Sequence, residues 1–308
     1  MSKISVILAT HNRAVYLEAC LVSLCAQTLD PLLYEICVVD NACTDATPEV
    51  VAAIAKRYPN HRVFMVEEPT PGLSRARNCG IAATSTPFIA TIDDDATAEP
   101  DWLERLLNRF AALPDDVGGI GGEIDPVWQA PPPPWLDARM KGVLTAASGM
   151  GTAPRFIDPQ EGLFECNSCY RRAALEAAGC YPVELGRVGN LLLSGEGAVN
   201  ALIRHKGWRL FFDPAVIVHH IIHAERLTPR WLRKRLFWQG ISDYAMHLYY
   251  QRNGLTTVTA MNLDLPLKQS DWAFVNADTA ENLSDSLTHF ESLGFALAMA
   301  GLVDIDNG

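Results

Sequence analysis

Nowhere in the 308 residues is there an apolar run approaching the ~18 needed to cross a bilayer. The short apolar stretch ISVILA near the start gives way to THNR before a signal-type hydrophobic region and cleavage site could form. The expectation is a cytoplasmic protein, with any membrane contact peripheral. Positive charge is also scarce: 25 Lys and Arg against 36 Asp and Glu leave a formal net charge of -11. That excludes general affinity for nucleic acid, because a phosphate backbone calls for a cationic surplus, so an anionic ligand must be held locally. Two phosphate-binding signatures are missing. No GxGxxG follows the first strand-like run and no GxxxxGK[ST] occurs, which removes the dinucleotide phosphate loop and the P-loop.

Paired cysteine motifs are few as well. The eight cysteines are scattered, several in apolar segments where Cys behaves as a small buried hydrophobe, and the expectation is a reducing compartment. The one CxxC, Cys166 to Cys169, lacks a second CxxC or a nearby Cys/His set, so a structural reading stands against a metal or redox one.

The first hundred residues alternate two periods. ISVILA (4–9), EICVVD (35–40), RVFMVE (62–67) and PFIATID (87–93) suit strands buried on both faces. Helix-like stretches at 14–27, 46–58 and 72–84 lie between them, the second with Thr47 as N-cap and Pro48 in its first turn. The alternation predicts an α/β fold with a mostly parallel sheet, whose ligands sit at the carboxyl ends of the strands. Residues 118–142, with five glycines and four consecutive prolines, read as a long loop over the sheet edge or a polyproline spacer. Strand character returns at 207–227. Thr228 and Pro229 open a helix, and 286–302 suits another.

The strand ends carry the chemistry. Asp93, Asp94 and Asp95 follow the fourth strand directly. Three carboxylates at one strand end repel each other unless a divalent cation with hard oxygen ligands gathers them, and such a cation in turn binds phosphate. The plain alternative is helix capping near a positive dipole end, for which one carboxylate suffices. His219 and His220 end a later strand, where alternation lets only one of them reach the same face.

The segments SVILATHNR, VVDNACTDAT, PGLSRARNCGIAAT and FIATIDDDA resemble, in order and spacing, the nucleotide-sugar half of the family 2 glycosyltransferases. The resemblance continues through CNSCYRRAALEAAGCY, LLLSGEGAVNALIRHKGW and FFDPAVIVHH, over roughly residues 3 to 240. It implies a GT-A type, Rossmann-like mixed sheet flanked by helices: residues 1–113 as the nucleotide-sugar half, 114–225 as the acceptor-binding and catalytic half, and 226–308 as a C-terminal helical extension. By that resemblance Thr10, Asn12 and Arg13 lie under the nucleotide, Asp40 accepts the imide N–H of uracil or thymine, and Arg77 faces base or diphosphate. Asp93 contacts the ribose, Asp94 intervenes, and Asp95 binds Mn2+ or Mg2+ with His220, which the spacing from Pro214 favours over His219. The residue-level alternatives remain a solvated helix arginine for Arg77 and a turn residue for Asp40.

Relatives place the catalytic base in a GED or GEE segment, and this chain has Gly195-Glu196-Gly197. Aligned locally, Gly197 takes the base position. Aligned backwards from Gly207-Trp208-Arg209, Glu196 takes it, and we follow the second alignment. Trp135, Asn167 and Arg171 are expected on the acceptor side, Trp135 or Trp128 by stacking on a sugar. The basic and aromatic stretch 226–238 suits peripheral contact with anionic lipid or a lipid-pyrophosphate acceptor, or a packed helix with a charged outer face. The expected activity is metal-dependent, inverting transfer from a UDP- or dTDP-sugar to an acceptor hydroxyl. Its rivals are an impaired nucleotide-sugar-binding homologue and a nucleotidyltransferase, although ATHNRAVYLE supplies no basic Gly-rich loop for the latter.

Overall fold

A computed structural model describes residues 2–186, 195–255 and 283–301, with the backbone alone for Gly195, Glu196 and 283–288. The expected alternation is present: β1 (Ile4–Thr10), α1 (Ala14–Cys25), β2 (Tyr34–Asp40), α2 (Thr47–Arg57), β3 (Arg62–Glu67), α3 (Leu73–Ala82) and β4 (Phe88–Thr91). There follow β5 (Ala96–Ala98), α4 (Trp102–Ala112), β6 (Val117–Trp128), α5 (Ala138–Val143), β7 (Arg155–Phe156), β8 (Ser168–Arg171) and α6 (Arg172–Ala178). The described chain ends with α7 (Gly195–His205), β9 (Arg209–Ile222), α8 (Pro229–Arg252) and α9 (Leu283–Met299).

The strands form one sheet in the order β3-β2-β1-β4-β8-β6-β9-β5, with β7 beside β9. Strands β1 to β4 are mutually parallel, whereas β8 runs antiparallel between β4 and β6. Strand β1 lies between β2 and β4, so the chain winds outward on one side and resumes on the other. The crevice at that reversal is where α/β sheets bind ligands. Both sheet faces are covered by apolar clusters. One joins α1, α2 and α4 through Leu17, Leu21, Val51, Trp102 and Leu106, and the other joins α6 and α7 through Leu175, Val199 and Ile203.

Two expectations need correction. Residues 117–128 are not a loop but a twelve-residue strand. Its glycines are demanded by packing, since a Cβ on Gly119 would meet Tyr170 Cδ1 at 2.7 Å and one on Gly122 would meet the Val216 carbonyl oxygen at 1.9 Å. Pro126 is tolerated because β8 pairs only with Gly119–Gly121, leaving its N-side edge without a ladder partner there. Thr47 is the first residue of α2 and not its cap, and the accepting side chain is Asp45, two residues earlier, whose Oδ1 accepts from Thr47 N at 3.2 Å and from Thr47 Oγ1 at 2.7 Å. Its Oδ2 accepts from Ala14 N at 2.9 Å, so this one carboxylate serves the first turns of both α1 and α2, and those N–H groups hold it below the usual carboxylate range.

For α8, the packed helix with a charged outer face is the reading of the two that the structure shows. Its opening is as expected, with Thr228 Oγ1 accepting from Trp231 N at 3.2 Å. The apolar residues expected to meet lipid, Leu232, Leu236 and Phe237, are buried against Met140 of α5 and Phe290 and Leu293 of α9, with Trp135 packed on the same cluster. Arg230 and Lys234 are what α8 exposes of the basic stretch's first turns. No helix among the described residues is long and apolar enough to cross a membrane.

Candidate active site

At the carboxyl ends of β1 and β4 opens a cavity of about 870 Å³, walled by Thr10, Arg13, Asn41, Asp93, Asp94 and His223 among others. Local devices shape the loops that carry the wall, although Asn12 and Asp40 are not themselves among the lining residues. Asn12, just past β1, takes a left-handed φ of 54°, which asparagine tolerates, and its Oδ1 accepts from Thr44 N at 2.7 Å, tying the β1 loop to the β2 loop. Asp40 Oδ1 accepts from Cys43 N at 2.7 Å and closes the turn after β2. Asn41 donates to the carbonyls of Glu68 and Thr70 at 2.9 and 2.8 Å and accepts from Gly72 N at 2.9 Å. Gly72, at φ 145°, then turns the chain into α3.

Helix α3 delivers Arg77, which is buried, with Nη2 3.6 Å from Asp93 Oδ1 and its guanidinium 5.4 Å from the Tyr181 ring centre. Behind it, the Tyr181 hydroxyl donates to the buried Glu165 carboxylate, which also accepts from Thr91 Oγ1 at 3.0 Å and the Tyr170 hydroxyl at 2.7 Å. Three donors make that buried charge tolerable.

The triple aspartate divides its duties. Asp94 is 4% and Asp95 3% exposed, whereas Asp93 is half-buried and faces the cavity. Arg13 supplies the countercharge, with Nη1 3.1 Å from Asp94 Oδ1 and Nη2 2.5 Å from Asp95 Oδ2. Thr10 Oγ1 donates to Asp94 Oδ2 at 2.7 Å. Burial pushes the Asp94 carboxyl up to about 7, only partly offset by Arg13 and Thr10. Burial pushes Asp95 the same way, but His220, Arg13 and His223 outweigh it and hold Asp95 well below the usual range. The two adjacent carboxylates are thus shifted in opposite directions, because Asp95 has more stabilising partners than Asp94.

Of the two histidines in β9, His219 faces outward and lies 2.6 Å from Glu99 Oε1, while His220 is buried with Nε2 3.5 Å from Asp95 Oδ1. His220 Nδ1 lies 3.0 Å from the Thr145 carbonyl oxygen. A carbonyl can only accept, so the neutral ring carries its proton on Nδ1 and turns the Nε2 lone pair toward the acidic cluster. Asp93, Cys166 and His220 bring one possible metal-ligating atom each within 4.8 Å of one another.

Thr10, Arg13, Asp93 and Asp94 therefore line the cavity, while Arg77, Asp95 and His220 stand immediately behind them. Asn167 and Arg171 are not brought there. Asn167 is fully buried and spends its amide on Trp102 Nε1, the Glu123 carbonyl and the Val216 carbonyl at 2.8, 2.7 and 2.9 Å. Arg171 lies at the opposite end of the strands, paired with Phe88 at the start of β4 and donating to the Val117 carbonyl at 3.0 Å. Trp135 belongs to the α5–α8–α9 cluster. Glu196 falls in the first turn of α7, and its side chain lies outside the described residues. The sequence reading missed His223, whose Nε2 is 3.0 Å from Asp95 Oδ2 and whose ring meets Tyr16 edge-on at 5.0 Å. The His-x-x-His spacing from His220 was the available signal.

The sequence model described as Glycosyl transferase family 2 matches residues 5–176, more than half of the chain. A glucosyl-dolichyl phosphate glucuronosyltransferase of Haloferax volcanii is 27% identical over 255 residues, covering 80% of this chain and 78% of its own. The putative glycosyltransferase EpsH of Bacillus subtilis is 27% identical over 257 residues, covering 78% and 67%. Among solved structures, the mannosyltransferase PcManGT of Pyrobaculum calidifontis, in complex with GDP-Man and Mn2+, superposes with a TM-score of 0.60 at 20% identity, over 98% of this chain and 76% of that one. S. aureus TarS 1-349 in complex with UDP superposes with a TM-score of 0.55 at 15% identity, over 97% and 92%. The strand-end acidic site, the sheet order and the family match converge: the chain belongs to glycosyl transferase family 2 and is a glycosyltransferase of GT-A fold.

Proposed function

We propose that the protein transfers a sugar from a UDP- or dTDP-sugar to an acceptor hydroxyl, with metal dependence and inversion, in polysaccharide or glycolipid assembly. The observation that carries this reading is the joining of Thr10, Arg13, Asp93 and Asp94 on one cavity wall with Arg77, Asp95 and His220 directly behind it. Asp40, acceptor-only when ionised, suits an imide N–H and so prefers uracil or thymine over cytosine. Arg13 and Arg77 suit a diphosphate.

The donor set fits Mn2+ or Mg2+, since carboxylate oxygens and a lone-pair imidazole nitrogen are ligands such ions accept. Asp95 and His220 would hold the ion, which when bound offsets charge on the departing diphosphate. Asp93 would bind the ribose. Glu196, one residue into α7, would take the acceptor proton. Gly197, at the neighbouring position, keeps an impaired homologue as the second reading. It has no carboxylate, and its carbonyl accepts from the Tyr250 hydroxyl at 3.1 Å.

Calorimetric titration with UDP and GDP, each with and without Mn2+, tests the donor. UDP is expected to bind with Mn2+ and GDP at least about tenfold more weakly, in line with rejection of an analogue that leaves a polar site unpaired; tighter binding of GDP contradicts the assignment. Glu196→Gln separates the two readings. It is expected to keep UDP binding while transfer falls by about 10²-fold or more, whereas unchanged transfer removes Glu196 from the base role.

A further inference from the structure

We propose that Cys166 is a thiolate ligand of the metal site, acting with Asp93 and His220, so that the site takes a borderline cation such as Zn2+ or Co2+ in preference to Mg2+. The three residues come from separate elements, and the sheet explains why they meet. Strands β4 and β8 pair antiparallel with Thr91 opposite Ser168. Asp93 lies two residues past that last pair on one strand and Cys166 two residues before it on the other, so both fall at the same end of the ladder, and β9 brings His220 alongside. Their ligand atoms lie within 4.8 Å of one another. A tetrahedral ion with Zn–S about 2.3 Å and Zn–N about 2.0 Å holds adjacent ligands roughly 3.5 Å apart, so closure requires a modest side-chain rotation. Asp93, with 37% of its side chain exposed and Arg77 3.6 Å from its Oδ1, can turn one carboxylate oxygen to the ion and keep the other for the ribose.

The remaining groups support coordination. His220 is held by the Thr145 carbonyl with Nε2 as its lone-pair nitrogen, the outer-shell arrangement that orients metal-bound histidines. Asp95 Oδ1 lies 3.5 Å from that nitrogen but outside the three-residue cluster. The cavity that Asp93 faces leaves an open side for water or phosphate, as catalytic sites keep one position free. A thiolate among oxygen and nitrogen ligands shifts preference away from Mg2+ toward Zn2+ and Co2+. The Cys166 proton leaves to solvent as the metal–sulfur bond forms, so each ion bound releases that proton. The coordination stands on the geometry of these side chains, while its consequence for sugar transfer, competition between Zn2+ and Mn2+ at one site, rests on the function proposed above.

Titration of the full chain with Co2+ reads the thiolate directly, through the near-ultraviolet sulfur-to-metal charge-transfer band. The band is expected in the wild type and in Cys169→Ser, a buried neighbour outside the cluster. In Cys166→Ser it is expected to vanish and Co2+ binding to weaken at least roughly tenfold, the lower end of what losing even a supporting partner costs. Cys166→Ala, with an unaltered circular dichroism spectrum, serves if the serine disturbs the apolar packing. Bound Co2+ without the band, or a band that survives both Cys166 variants, overturns the proposal, and Mn2+-dependent UDP-sugar turnover then leaves the functional reading standing. A Cys166-dependent band in a protein that turns over no nucleotide-sugar upholds the coordination and overturns the functional reading instead.

Discussion

Arg13 decides how the acidic cluster is tolerated. It contacts Asp94, Asp95 and His223 at 3.1, 2.5 and 2.9 Å, so its guanidinium is the positive charge around which the carboxylates are arranged. Replacing it by Gln leaves buried carboxylates short of a partner, which should cost about 1–3 kcal/mol of stability. A divalent cation would supply that charge in its place. The urea-denaturation loss in Arg13→Gln is therefore expected to shrink when Mn2+ is added, and an equal loss with and without Mn2+ contradicts a metal at these carboxylates. The residue scale is also where the sequence was least legible. Asp93 to Asp95 announced themselves as a run just past a strand, and His220 by its spacing from Pro214 near the end of β9. His223 lies past its strand, where alternation no longer says which way a side chain faces, and Cys166 stood out only as half of the one CxxC, with no neighbouring Cys or His in the sequence to argue for a metal. Asn167 and Arg171 carried a family position but not its placement: one is consumed by buried carbonyls, the other sits at the wrong strand end.

At the scale of elements, β6 is the instructive case. Four glycines and a proline argue against a strand by propensity, yet the glycines exist because Tyr170, Leu163, Leu210 and the Val216 carbonyl occupy the space a Cβ would need. Gly122→Ala should be severely destabilising, by at least about 3 kcal/mol, since backbone must move. Gly142→Ala in α5, where a Cβ meets nothing within 4 Å, should be neutral or stabilise by about 0.5–1 kcal/mol. Thermal melts of the two variants check this, and equal melting temperatures would contradict it.

Helix α8 makes a second prediction. Burial raises Asp243 to about 6, with Gln239 donating to it at 2.8 Å. Its folded value lies above its unfolded one, so the native state holds the proton more tightly and stability from this group is lost as pH rises from about 4 to 6. Asp243→Asn should gain on the wild type across that window, by up to about 3 kcal/mol from a shift of roughly two units, and show no gain below pH 4. A constant difference at all pH values contradicts the assignment. The close approach of α8 and α9, where a Cβ on Gly240 would meet the Glu291 carbonyl at 1.8 Å, was beyond sequence reading because nothing local marks which glycine faces a partner helix.

For the whole molecule, the order of β1 to β4 and the position of the ligand crevice were legible, because period-two and period-3.6 runs separated by polar strand ends leave few topologies open. The second half was less so, since its antiparallel strands are held by distant partners rather than by local pattern. The net charge of -11 places further weight on local cations. Arg13 and Arg226 on the cavity wall, Arg77 behind it and the proposed metal are set against three aspartates and would make this crevice hospitable to a diphosphate. That claim is tested most directly by nucleotide release from UDP-sugars in the presence of Mn2+, wild type beside Asp95→Ala. The account predicts UDP release by the wild type that stops on chelation of the metal and falls by about 10²-fold or more in Asp95→Ala; release that persists in the variant, or that ignores the metal, would contradict it.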